Sequence, residues 1–139
     1  MSILIFCVGE PTRALEGKYS SAAFDAAVDA MFSSSVKPYT GRKQDPAGRA
    51  VFIGEGLHAK ETADQLLLPG FCQVDPLLNE IPLRSSSDTA REYPAEVWKK
   101  KAAAQRKRGD PRQPETRKAV IARAEAMIGK IEGGEALLI

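Results

Sequence analysis

Ile3-Leu4-Ile5-Phe6-Cys7-Val8 is a continuous apolar run that stops at two turn signals, Gly9 and Pro11. Apolar residues without alternation predict a strand buried on both faces, the type found in parallel sheets. Downstream, Ser20-Ser21 offers hydroxyl caps for a helix through about Phe32, with Phe24, Ala27, Val28 and Met31 on one face. Residues 33–49 are polar, contain Pro and Gly, and read as a loop. Val51-Phe52-Ile53 reads as a second strand, Leu57 to Leu68 as a helix stopped by Pro69-Gly70, and Phe71 to Val74 as a third strand. From Ser85 the chain turns helical and charged. Pro94 starts a helix that ends at Gly109-Asp110-Pro111. After Pro114, residues Val120, Ala124, Met127, Ile128 and Ile131 fall on one face of a 3.6-residue period. Gly133-Gly134 ends that helix, and Glu135 to Ile139 reads as a further strand. Strands alternating with helices predict an α/β fold with a largely parallel sheet covered by helices.

Composition narrows the class. A chain of 139 residues fits one domain, 1–139, and 43% hydrophobic residues suffice for an ordinary core. Twenty Lys and Arg against eighteen Asp and Glu give a net charge of +2, too balanced to announce a nucleic-acid protein. No apolar run approaches 18 residues, which excludes a spanning helix. The start lacks a basic segment and a small-residue cleavage site, so it does not read as a signal peptide; a cytoplasmic protein with no membrane partner is expected. Cys7, Cys72 and the single histidine, His58, have no metal-ligand spacing, so neither metal nor cofactor is expected.

The stretch Cys7-Val8-Gly9-Glu10-Pro11-Thr12-Arg13-Ala14-Leu15-Glu16-Gly17 resembles the opening of the histidine phosphatase (phosphoglycerate mutase-like) superfamily. That family has a strand, then Arg-His-Gly-Glu, then Thr or Pro-Thr-Arg, often followed by Leu-Glu-Gly. Gly54-Glu55-Gly56-Leu57-His58-Ala59-Lys60-Glu61-Thr62-Ala63 is similar to the family's Ser-Pro-Leu-x-Arg-Ala-x-Gln-Thr-Ala. Val74-Asp75-Pro76-Leu77-Leu78-Asn79-Glu80-Ile81 resembles the stretch that carries its acid. Tyr93-Pro94 with Trp98, and Pro114-Glu115-Thr116 with Arg123, are weaker echoes. Glu135 to Ile139 resembles the strand before the family's second histidine, so the resemblance implies a fold of that type lacking its C-terminal part. It implies a three-layer α/β/α sandwich with a mostly parallel central sheet.

The family's chemistry needs a neutral His to attack phosphorus, Arg residues to spread the phosphoryl charge, and an acid for the leaving oxygen. Residue by residue, the resemblance places Cys7 where the first Arg belongs and Val8 where the nucleophile belongs. Valine has no lone pair to offer. Ala14 holds the position of an Asn that contacts phosphate, and His58 replaces the second Arg, a permanent fork, with an imidazole. Gly9, Glu10 and Thr12 keep the loop's pattern without its reactive groups. Glu80 alone survives, as the candidate acid. The resemblance thus implies a non-catalytic protein binding a phosphorylated or anionic small molecule, with Thr12, Arg13 and His58 as candidate ligands, or binding a protein partner.

Two other readings stay open. Cys7 to Arg13 has the Cys-x5-Arg spacing of cysteine phosphatases and follows an N-terminal strand, as in the low-molecular-weight tyrosine phosphatases. There a thiolate attacks phosphorus inside a loop of amides. Against an active phosphatase of that kind, Pro11 removes one amide and Ala14 stands where a Ser or Thr supports the thiolate; Cys7 is otherwise a buried strand residue. Lys99, Lys100, Lys101, Arg106, Lys107 and Arg108 form a basic stripe at seven-residue spacing. A nucleic-acid interface would need aromatic platforms that only Trp98 begins to provide, so a solvated face is expected. Finally, the resemblance implies a central last strand followed by further helix, so an end at Ile139 predicts uncovered apolar surface and self-association, or pairing with another chain, through the C-terminal strand region.

Overall fold

A computed structural model describes residues 2–131 and 134–139. In chain order the elements are β1 (Ser2–Ile5), β2 (Lys18–Tyr19), α1 (Ser21–Phe32), β3 (Ala50–Ile53), α2 (Leu57–Leu66), β4 (Cys72–Val74), a 3-10 turn at Pro76–Leu78, β5 (Tyr93–Pro94), α3 (Ala95–Arg108), α4 (Arg117–Ile131) and β6 (Glu135–Leu138). They divide into two compact units, one of Met1–Thr12, Ser34–Glu80 and Arg123–Ile139, the other of Arg13–Ser33 and Ile81–Ala122.

The first unit holds a four-stranded, all-parallel sheet in the order β1-β6-β3-β4. Alternation along its strands sends side chains to two covered faces. Val51, Ile53, Leu137 and Ile139 pack with Ala59, Ala63 and Leu67 on the α2 side. Phe52, Ala136 and Leu138 pack with Met127 and Ile131, from the last turns of α4, on the other. Helix, sheet and helix therefore form three layers within this unit, the α/β architecture expected. β6 is interior, with Leu137 opposite both Leu4 and Val51. It has no free edge; the sheet's edges are β1 and β4.

Three expectations change. β1 is the edge strand rather than one buried on both faces: Leu4 is exposed and Ile5 is 74% exposed. An apolar run tells how sticky a strand is but not how many neighbours it gets. The α4 stripe is only partly covered, with Met127 and Ile131 buried but Ala124 and Ile128 exposed, because the sheet meets only the helix's last turns. The third strand excludes Phe71, which is exposed. The proposed stop at Gly133 lies outside the described residues.

In the second unit β2 and β5 form a two-stranded antiparallel ribbon. Ser20 caps α1 by accepting from the Ala23 amide, as its position suggested. Trp98 stacks on Phe24 at 5.8 Å between centroids and donates its indole N–H to the Tyr19 carbonyl at 2.8 Å. α3 ends at Gly109, whose φ of 78° is the left-handed conformation glycine adopts without Cβ strain. Buried Gln113 and Gln105 hydrogen-bond each other at 2.9 Å, and backbone groups of Arg84 and Ser86 satisfy their remaining partners.

Candidate functional site

Open parallel sheets gather their ligands beyond the carboxyl ends of the strands, where the loops after β1, β3 and β4 emerge. The loop after β1 is held by its own backbone. Gly9 N–H donates to Thr62 Oγ1 at 2.8 Å, and Thr12 N–H donates to the Ser35 carbonyl at 2.7 Å. A Cβ on Gly9 would stand 3.1 Å from Val36 Cβ, so glycine permits this close approach. Glu10 bonds Lys37 twice: its carbonyl accepts the Lys37 amide at 2.7 Å, and its carboxylate meets Lys37 Nζ at 2.6 Å. Val8 turns inward against the core beside α2, whereas Cys7 is exposed rather than buried in a strand.

The polar face of α2 fixes the opposing segment, residues 35–43, which has no regular structure of its own. Glu61 accepts from Ser35 Oγ and the Val36 amide, and Gln65 Oε1 accepts the Tyr39 amide. Between the two segments lies a cavity of about 200 Å³ lined by Phe6, Cys7, Gly9, Lys37, Tyr39 and Thr62 among others. Its walls are mainly carbon, with Lys37 the charged group at its margin.

His58, in the first turn of α2, is buried at 4% exposure. Its Nε2 lies 2.9 Å from the Ser34 carbonyl oxygen. A carbonyl can only accept, so Nε2 carries a hydrogen. Nδ1 lies 3.4 Å from Glu80 Oε2. Thr12 and His58 are thereby tied to the adjacent carbonyls of Ser35 and Ser34. Arg13 begins the second unit and is exposed.

Glu80 is positioned by a backbone clamp. Arg123 Nη1 donates to the Leu77 carbonyl at 2.7 Å and the Asn79 carbonyl at 3.0 Å. The Asn79 side chain accepts the Glu55 amide and donates to the Glu55 carboxylate. Asp75 caps the 3-10 turn through the Leu77 amide; the Lys130 ammonium at 2.7 Å and that amide hold its carboxyl below the usual carboxylate range. Burial, with Asp64 nearby, pushes the Cys72 thiol up. Among the described residues no three His, Cys, Asp or Glu side chains group as metal ligands do. Nor is any helix among the described residues long and apolar enough to cross a membrane.

Thr62, Ser34, Asn79, Lys37 and Tyr39 are among the contributors that sequence reasoning did not single out as site residues. Thr62 and Asn79 fall inside the second and third of the resembling stretches, but Thr62 accepts a distant backbone amide and Asn79 bonds both the amide and the carboxylate of Glu55, so neither pairing leaves a local signal. Neither the family models nor the curated proteins compared with the chain match it.

The basic stripe is a feature of the second unit. Lys99 pairs with Glu96, Lys101 Nζ lies 4.9 Å from the Tyr93 ring centroid, and Arg108 lies near Asp110. Arg106 turns away from that face and donates to the Ile81 carbonyl at 2.8 Å.

Proposed function

We propose that this chain is a degenerate, histidine-phosphatase-like domain that performs no phosphoryl transfer and binds a small molecule with an apolar body and an anionic group. The observation that carries this reading is the environment of His58. One ring nitrogen is committed to the Ser34 carbonyl and the other faces Glu80, a carboxylate that would repel a phosphoryl oxygen. Val8 at the nucleophile position packs into the core, in keeping with a loop retained for shape.

The Cys-x5-Arg alternative is weakened by the same loop. A phosphate cradle needs its amides aimed at the anion, yet the Gly9 amide is taken by Thr62 and the Thr12 amide by Ser35, while Pro11 has none. The cavity beside Cys7 suits the apolar body of a ligand. Lys37 suits its anionic group, because an exposed ion pair such as Lys37–Glu10 contributes only about 0–1 kcal/mol and can exchange partners. The test is an amide-shift titration with p-nitrophenyl phosphate. Shifts should concentrate at Cys7, Gly9 and Tyr39 and weaken in Lys37→Ala. Shifts confined to other regions, or none at millimolar ligand, would reject the reading.

A further inference from the structure

We propose a second anion site, in the unit formed by Arg13–Ser33 and Ile81–Ala122, that takes a small amphiphile with a phosphate or carboxylate head and a short apolar tail. A cavity of about 260 Å³ there is lined by Leu83, Ala103, Arg106, Lys107, Arg117 and Val120. Three of these six side chains are cationic, three are apolar, and none is acidic.

Some of the unit's other cations are ion-paired, whereas Lys18, Arg91, Lys100, Lys101 and Lys118 have no ion pair among the described residues and do not line the cavity. Arg84, Lys99, Arg108 and Arg112 each lie against a carboxylate, of Asp29, Glu96, Asp110 and Asp88. Arg106, Lys107 and Arg117 have no carboxylate partner among the described residues. Like charges gathered round one cavity repel, and a bound anion would relieve that repulsion.

Arg106 supplies an independent observation. Its Nη2 bond to the Ile81 carbonyl fixes the guanidinium plane, while its Nε is buried and has no hydrogen-bond partner. With the guanidinium held in one orientation, an oxyanion is the acceptor it matches best. Arg117 opens α4, a helix of 15 residues capped by Thr116, whose hydroxyl accepts the Ala119 amide. The positive end of that helix dipole adds to the same field. Complementing the C-terminal dipole of α3 explains cations at Arg106 and Lys107 but not Arg117, nor the apolar floor of Leu83, Ala103 and Val120. That floor separates this ligand from a bare inorganic ion. The site is lined by residues of a different unit from those of the cavity beside Cys7 and does not depend on the reading given for it.

The experiment is a titration of the full chain with hexyl phosphate, inorganic phosphate and hexanol, read by calorimetry and by amide shifts at Ala103, Lys107 and Val120. Hexyl phosphate should bind most tightly and weaken as salt rises. Arg117→Gln and Lys107→Gln, both at exposed positions that leave the fold intact, should each lower its affinity about three- to tenfold, and Arg106→Gln by about tenfold or more. Lys37→Ala should leave the hexyl phosphate shifts at Ala103, Lys107 and Val120 unchanged, whatever it does to shifts at Cys7, Gly9 and Tyr39. Equal affinity for inorganic phosphate and hexyl phosphate would overturn the proposal, as would hexanol binding as tightly as hexyl phosphate, or hexyl phosphate binding that ignores the three substitutions. So would an oligonucleotide that binds through Lys99, Lys100 and Lys101 while hexyl phosphate shifts nothing.

Discussion

His58 and Glu80 meet across 3.4 Å at the carboxyl end of the parallel sheet, one buried in the first turn of α2 and the other held on the segment after the 3-10 turn. The other ring nitrogen of His58 bonds the Ser34 carbonyl, so the imidazole links three chain segments. Removing it leaves that carbonyl unpaired and opens a void. His58→Ala should therefore lower unfolding free energy by about 2–3 kcal/mol in urea denaturation. Glu80→Gln should cost under about 1 kcal/mol, because its side chain is partly exposed and a Gln amide can still face Nδ1. Equal losses would mean that the carboxylate carries the link.

Asp75 predicts a pH dependence. Its carboxyl is held low by Lys130 and the Leu77 amide, so the ionised form is favoured in the folded state. The resulting stability is fully present above the ordinary carboxylate value, about 3.9, and is lost as pH falls from there through the lowered folded value. Asp75→Ala should cost about 1–2 kcal/mol at pH 7, and the difference from wild type should shrink below about pH 4. A difference that stays constant from pH 7 to pH 3 would contradict this assignment.

Trp98 is the chain's single tryptophan and is 1% exposed. Its emission should be blue-shifted in the native protein and move red on unfolding. Trp98→Phe removes the donor to the Tyr19 carbonyl and leaves space beside Phe24, costing about 2–4 kcal/mol by denaturant unfolding. Native emission at the wavelength of free tryptophan would refute this packing.

Most elements were legible because their signals are local. Ser20 caps α1, Pro94 and Gly109 bracket α3, and Val51-Phe52-Ile53 forms the body of β3. What was not legible depends on partners distant in sequence. Nothing in residues 3–8 says that β6 would lie on only one side of β1, leaving Ile5 in solvent. The ribbon of β2 and β5, two residues a side, is too short to have a period. At the site, His58 and Glu80 were both picked out, but their pairing joins separate elements, and the Ser34 contact is to a backbone oxygen that any residue offers.

The central claim, that the site performs no phosphoryl transfer, is tested most directly by nitrophenolate release from p-nitrophenyl phosphate, measured for wild type, Glu80→Gln and Cys7→Ser. Loss of one preorganised donor typically costs 100- to 1,000-fold in rate, about 3–4 kcal/mol, and on the proposed reading the nucleophile position itself holds Val8. The account predicts release indistinguishable from buffer in all three proteins. Release by wild type that disappears in Glu80→Gln or in Cys7→Ser would contradict it, and which of the two substitutions abolishes it would identify the working group.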